Sequence, residues 1–156
     1  MFNIVLYTPQ IPQNTGNIAR TCAVTGSRLH LIKPYGFVIN DKTLLRAGLD
    51  YWSELEIFEY DDFNDFIDKN KNCNLYVLTS KGDKNYSECI FKDGDFLLFG
   101  SETSGVPDSI HNKFTSFRLK IPMLDNEHAR CLNLGNSVGI VLYEALRQND
   151  FLNLSI

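Results

Sequence analysis

Apolar and polar positions alternate along this chain in two distinct rhythms. Phe2 to Tyr7, Leu29 to Lys33, Leu75 to Thr79, Asp95 to Phe99 and Phe117 to Ile121 are short, mainly apolar runs of the kind that form buried strands. Glu56 to Tyr60 has the look of an edge strand. Between them lie helical patterns. Asn14 to Gly26 predicts a helix with Asn14 or Thr15 as its cap and Gly26 as its stop. Asp41 to Leu49 predicts a short helix, and Asp61 to Asn70 another, opened by two aspartates that suit a helix N-terminus. The last helix runs from about Leu134 to Arg147, where Leu134, Val138, Val141, Leu142 and Ala145 recur at helical spacing. Strands alternating with helices predict an α/β domain spanning residues 1–156, with a mainly parallel sheet flanked by helices. The tail from Asn149 to Ile156 is expected to be loosely attached.

In such a sheet, ligands bind beyond the carboxyl ends of the strands. Three polar, glycine-bearing loops fall there: Thr8 to Arg20, Gly100 to Pro107, and Ile121 to Ser137. In the first, Asn17 and Arg20 are three apart and share a face, beside a helix start that suits a phosphate or a polarised hydroxyl. A capped helix with a solvent-facing arginine would have the same sequence. In the second, Gly100 and Gly105 have P-loop spacing, yet Val106 and Pro107 stand where lysine and a hydroxyl are needed. Glu102 in that bend is either a ligand-facing carboxylate or a cap for the turn near Asp108. In the third, Asn133 caps the last helix, with Asn136 and Ser137 in its first turn. Gly135 and Gly139 each cost the helix roughly 1 kcal/mol relative to alanine, which predicts a close approach to its backbone.

Composition narrows the possibilities. The 156 residues are 44% hydrophobic and 22% charged, ordinary for a folded domain. No apolar run reaches the roughly 20 residues of a membrane span, and the N-terminus reads as no signal peptide, so a cytoplasmic protein is expected. The net charge of −4 argues against coating nucleic acid by bulk electrostatics but leaves room for a few arginines on phosphate. Cys22, Cys73, Cys89 and Cys131 form no C-x-x-C pair, and no histidine sits at ligand spacing beside them; neither a disulfide framework nor a metal site is expected.

The segments N-T-G-N-I-A-R, F-G-S-E-T-S-G-V-P and I-P-M…C-L-N-L-G-N-S-V-G-I-V-L-Y-E-A-L-R-Q resemble, in order, the three motifs of the SPOUT RNA methyltransferases. The likeness extends from Met1 to about Gln148. The compact length and the stretch F-V-I-N-D-K-T-L-L-R-A-G-L-D-Y resemble the branch that methylates the ribose of the tRNA wobble nucleotide, cytidine or modified uridine. The resemblance implies a C-terminal deep trefoil knot, a homodimer joined through the first and last helices, tRNA as partner and S-adenosylmethionine as methyl donor, leaving S-adenosylhomocysteine. It implies a cofactor seat at Leu78, Thr79, Gly100, Glu102, Ile121, Met123, Cys131 and Leu132. It implies Arg20 as the key catalytic residue with Asn14 and Ser137 nearby, and Arg130 and Asn133 toward RNA. An arginine pKa exceeds about 12, so poising Arg20 as a base near neutrality would cost roughly 7 kcal/mol; orienting the hydroxyl and phosphate is the role expected of it. Two other readings stay open: the same chemistry on another tRNA or rRNA ribose, and a non-catalytic RNA- or nucleotide-binding module.

Overall fold

The computed structural model describes residues 1–38, 55–125, 131–152 and 154–155. The expected helix at Asp41 to Leu49, most of the stretch from Phe37 to Tyr51, and Arg130 lie outside the described residues. Strands β1 (Asn3–Tyr7), β2 (Arg28–Ile32), β3 (Ile57–Tyr60), β4 (Leu75–Leu78), β5 (Lys84–Asn85), β6 (Phe96–Phe99) and β7 (Arg118–Lys120) form one sheet in the order β3-β2-β1-β6-β4-β7-β5. Every pairing in it is parallel.

A parallel sheet is covered on both faces, so its central strands are apolar on both. Ile4, Val5 and Leu6 in β1 are all buried. On one face, Phe2, Ile4, Leu6, Leu29 and Leu31 pack with Ile18, Ala19 and Cys22 of α1 (Pro12–Thr25) and with Val138, Val141, Leu142 and Ala145 of α4 (Leu134–Gln148). On the other, Val5, Ile32, Val77 and Leu98 pack with Phe66 of α2 (Phe63–Lys69) and Ile110 of α3 (Asp108–Lys113). The last helix's stripe thus faces the core of its own chain, and Val141 is fully buried there.

Helix ends follow local chemistry. Asp62 caps α2, accepting from the Asp65 amide, and Asn133 caps α4, accepting from the Gly135 and Asn136 amides. Gly26 ends α1 at φ +65°, a left-handed conformation that suits glycine. The expected start of α1 is corrected: Ile11 is its N-cap residue, Pro12 occupies the first turn, and Asn14 and Thr15 lie buried inside the helix. Proline's fixed φ and missing N–H favour that position. The tail is anchored as far as Phe151 and Leu154, which pack against the core.

β4 and β5 follow one another in the chain but are not neighbours in the sheet. β7 runs between these two strands, pairing Leu119 with Leu78 on one side and with Lys84 on the other. Residues 79–83 therefore bridge across one face of β7. At the crossing, a Cβ on Gly82 would lie 2.5 Å from the Leu119 carbonyl carbon, so only glycine fits. The bridge is tied down by ion pairs from Asp83 to Arg118 and from Lys81 to Asp108.

Candidate active site

The loops after β1 and β6 meet the N-terminus of α4 at the carboxyl edge of the sheet, where β4 and β7 also end. After β1 the chain turns sharply: Thr8 has φ +45°, unusual for a β-branched residue, and Gln10 Nε2 donates back to the Thr8 carbonyl at 2.7 Å. Gly36 presses on this turn, its amide donating to Pro9 O at 2.9 Å.

After β6 the chain folds on itself, with Ser101 and Gly105 exchanging backbone hydrogen bonds of 3.1 and 2.9 Å. A Cβ on Gly100 would fall 2.4 Å from the Gly105 carbonyl carbon, and Gly105 itself has φ +66°. Gly100 is thus fixed by loop closure. A bulky residue there breaks the loop itself, which makes Gly100→Val no clean probe of ligand binding. The closed loop aims Glu102 back at the start of α1. Its carboxylate accepts from Gln10 N at 2.8 Å, from Ile11 N at 3.1 Å and from Asn14 Nδ2 at 3.1 Å. These donors include the entry to a helix that has no side-chain cap of its own, where negative charge is favoured by the helix dipole. Glu102 therefore caps α1 from a distance in sequence; it does not cap the turn at Asp108, where Pro107 is the N-cap residue.

Asn133 completes the arrangement. Its Nδ2 donates to Asn14 Oδ1 at 2.9 Å, and its Oδ1 accepts from Gly135 N at 2.8 Å. The Ser137 hydroxyl donates to Asn133 O at 3.2 Å. Asn14, Glu102, Asn133 and Ser137 are thus brought into one hydrogen-bonded chain. Asn17 and Arg20 lie together on the exposed face of α1, as their spacing predicts. Gly135 is close to Asn17, with 3.8 Å between a would-be Cβ and the Asn17 Cβ, whereas a Cβ on Gly139 meets nothing within 4 Å. The approach expected at Gly139 is therefore not made by the described residues of this chain.

Leu78 ends β4, buried, with Ile121 half-buried beyond β7. Thr79 donates its amide to Leu119 O at 2.9 Å. Met123 and Leu132 are 43% and 39% exposed, and Cys131 is exposed as well. Uncovered apolar side chains beside backbone-lined loops suit a ligand with a flat apolar part and polar edges. Sequence reasoning missed the backbone amides of Gln10 and Ile11; the signal was Pro12, which marks an earlier helix start. A groove of about 510 Å³ lies at the opposite edge of the sheet between residues 69–74 and 93–96. Its Asn74 and Asp95 are bonded to each other at 2.9 Å. No described helix is long and apolar enough to cross a membrane.

The SpoU rRNA Methylase family pattern matches residues 1–143. A protein of Methylovorus glucosotrophus named tRNA (cytidine(34)-2′-O)-methyltransferase is 47% identical over 152 residues, covering 97% of this chain and 97% of its own. Its namesake in Escherichia coli K12 is 46% identical over 149 residues, covering 95% and 94%. A solved structure described as giving insights into the 2-OH methylation of C/U34 on tRNA has a TM-score of 0.90 at 42% identity, covering 96% of this chain and 97% of that one. An AdoMet-bound rRNA methyltransferase from Sinorhizobium meliloti has a TM-score of 0.81 at 25% identity, covering 94% and 56%. The motifs, the sheet they hang from and the extent of these likenesses agree, and the chain belongs to the SpoU rRNA Methylase family.

Proposed function

We propose that this protein methylates the ribose 2′-hydroxyl of the tRNA wobble nucleotide, cytidine or uridine, with S-adenosylmethionine as donor. The observation that carries the reading is the hydrogen-bonded chain from Glu102 through Asn14 to Asn133, which joins the three motif loops at one edge of the sheet. Near-full-length identity of 46–47% to proteins named for this reaction supports the substrate.

When bound, the cofactor supplies a methyl group already activated on a sulfonium. Leu78, Thr79, Gly100, Ile121, Met123, Cys131 and Leu132 would hold it, while Glu102 shapes the loop beside it. The chain's remaining task is to align the hydroxyl oxygen, which accounts for much of the rate in such transfers. Arg20, on the exposed face of α1, orients that hydroxyl and an adjacent phosphate through its planar fork. Asn14 and Ser137 flank the same opening, and Arg130 adds charge for RNA.

In this reading the bridge at residues 79–83 is part of a deep trefoil knot, and the protein acts as a cytoplasmic homodimer. Exposed Val24, Ile140 and Tyr143, on α1 and α4, are the apolar positions a second copy would cover. Tyr143→Glu is then the substitution that splits the dimer in sedimentation; Val141→Glu would unfold the chain. The decisive experiment incubates the protein with cofactor and bulk tRNA and maps ribose methylation by mass spectrometry. A new methyl on the nucleotide-34 ribose is expected; methylation elsewhere, or none, overturns the reading.

A further inference from the structure

The direction of every hydrogen bond in the chain from Glu102 to α4 is set by one group. An ionised carboxylate can only accept, so Asn14 must turn its NH2 toward Glu102. Its carbonyl oxygen then faces Asn133, which must turn its own NH2 toward Asn14. That leaves the Asn133 oxygen facing the Gly135 and Asn136 amides, both donors, at 2.8 and 3.4 Å. Each link is satisfied in this orientation, and turning over either carboxamide would set acceptor against acceptor or donor against donor.

We infer that Glu102 and Asn133 are positioning residues that lock the carboxamide of Asn14 in one orientation, so that the starts of α1 and α4 hold a single polar group toward the substrate. The inference rests on the proposed methyl transfer. It gives Asn133 a role through Asn14 rather than a contact with RNA phosphate. Asn14 is 6% exposed and lies inside α1, so its side chain has little freedom except to rotate its amide plane. With one N–H given to Glu102 and one lone pair to Asn133, one N–H and one lone pair of Asn14 stay uncommitted among the described residues.

The test separates positioning from capping and from RNA contact. Asn133→Ser keeps a good cap for α4 but lacks an amide that reaches Asn14. Asn133→Asp keeps the cap and the size but presents an acceptor where Asn14 needs a donor. Both variants are expected to lose about ten-fold or more in the single-turnover methylation rate at saturating RNA, the scale of one ordinary hydrogen bond lost in the transition state. Cofactor affinity and melting temperature should hold. In an Asn14→Ala background, Asn133→Ser should have little further effect, because the group it positions is gone.

A wild-type rate in well-folded Asn133→Ser, effects that multiply with those of Asn14→Ala, or a salt-dependent loss of RNA affinity alone would overturn the inference. A readout independent of turnover is the Asn14 side-chain NH2 resonance pair in NMR. It should move in Asn133→Ser, and an unmoved pair also overturns the inference. The rates are read on whichever RNA the wild type methylates. A different target nucleotide would thus sink the functional reading while still deciding this one.

Discussion

His30 Nδ1 accepts a hydrogen bond from the Tyr60 hydroxyl at 2.8 Å in the interior of the sheet's β2–β3 side. The other ring nitrogen donates to Asn3 Oδ1 at 3.1 Å, since the Asn3 NH2 is occupied by Gly94 O. Both ring nitrogens are therefore satisfied in the neutral form. Burial, helped by the Arg28 charge, pulls the imidazole down from its usual 6.5 to about 4.

Because the folded pKa lies below the unfolded one, the unfolded chain binds the proton first as pH falls. Stability from this site is complete above about pH 6.5 and is lost progressively toward pH 4, by about 3 kcal/mol at most. Urea unfolding at pH 7.5 and pH 4.5 should show this fall, and His30→Gln should flatten it. Carboxylates such as Glu144, held near 2 by Arg147 and Gln148, add their own loss at lower pH in both proteins alike.

Gly82 and Gly139 should respond in opposite ways to alanine. At Gly82 the new Cβ meets Leu119 backbone at 2.5 Å, and backbone has little room to move. Gly82→Ala is expected to cost about 1–3 kcal/mol or more. At Gly139 the space is open, and replacing a mid-helix glycine should gain up to about 1 kcal/mol. Denaturant midpoints of the two variants check both signs.

Gln148 ties the end of α4 to the segment before β6, donating to Cys89 O at 3.0 Å and accepting from Phe91 N at 2.9 Å. Gln148→Ala leaves both partly buried backbone groups without these partners. The expected loss is about 1–3 kcal/mol, read in thermal unfolding.

Arg20→Ala should lower the single-turnover methylation rate far more than it weakens cofactor binding, if the guanidinium orients the hydroxyl in the transition state. Arg20→Lys should also be poor, because a point-charge ammonium cannot reproduce the planar fork. A near-normal rate for Arg20→Ala, with the fold verified in the same preparation, would remove Arg20 from the mechanism.

Much of this architecture is legible in the sequence. The apolar runs mark β1, β2, β4, β6 and β7, Asn133 and Gly26 mark helix ends, and three polar loops follow three of the strands. What escaped has physical causes. β5 is two residues, Lys84 and Asn85, with no apolar signature to read. α3 is six residues long, too short to show periodicity. Asn14 looks like a cap because asparagine favours caps, yet Pro12 starts the helix earlier and turns Asn14 inward. Its bond to Glu102 spans 88 positions, and no local pattern encodes it. The insertion of β7 between β4 and β5 is equally invisible, because general topology rules make such a path the last to be considered.

That insertion also orders events during synthesis. β4 and β5 leave the ribosome before β7 does, so they wait without the strand that separates them. For that interval the Leu75–Leu78 run presents an open edge, apolar on both faces, of the kind that pairs with other chains. Newly made protein should therefore be at its most aggregation-prone between emergence of β5 and arrival of β7, and a released chain truncated near Lys113 should need chaperone help that the finished chain does not.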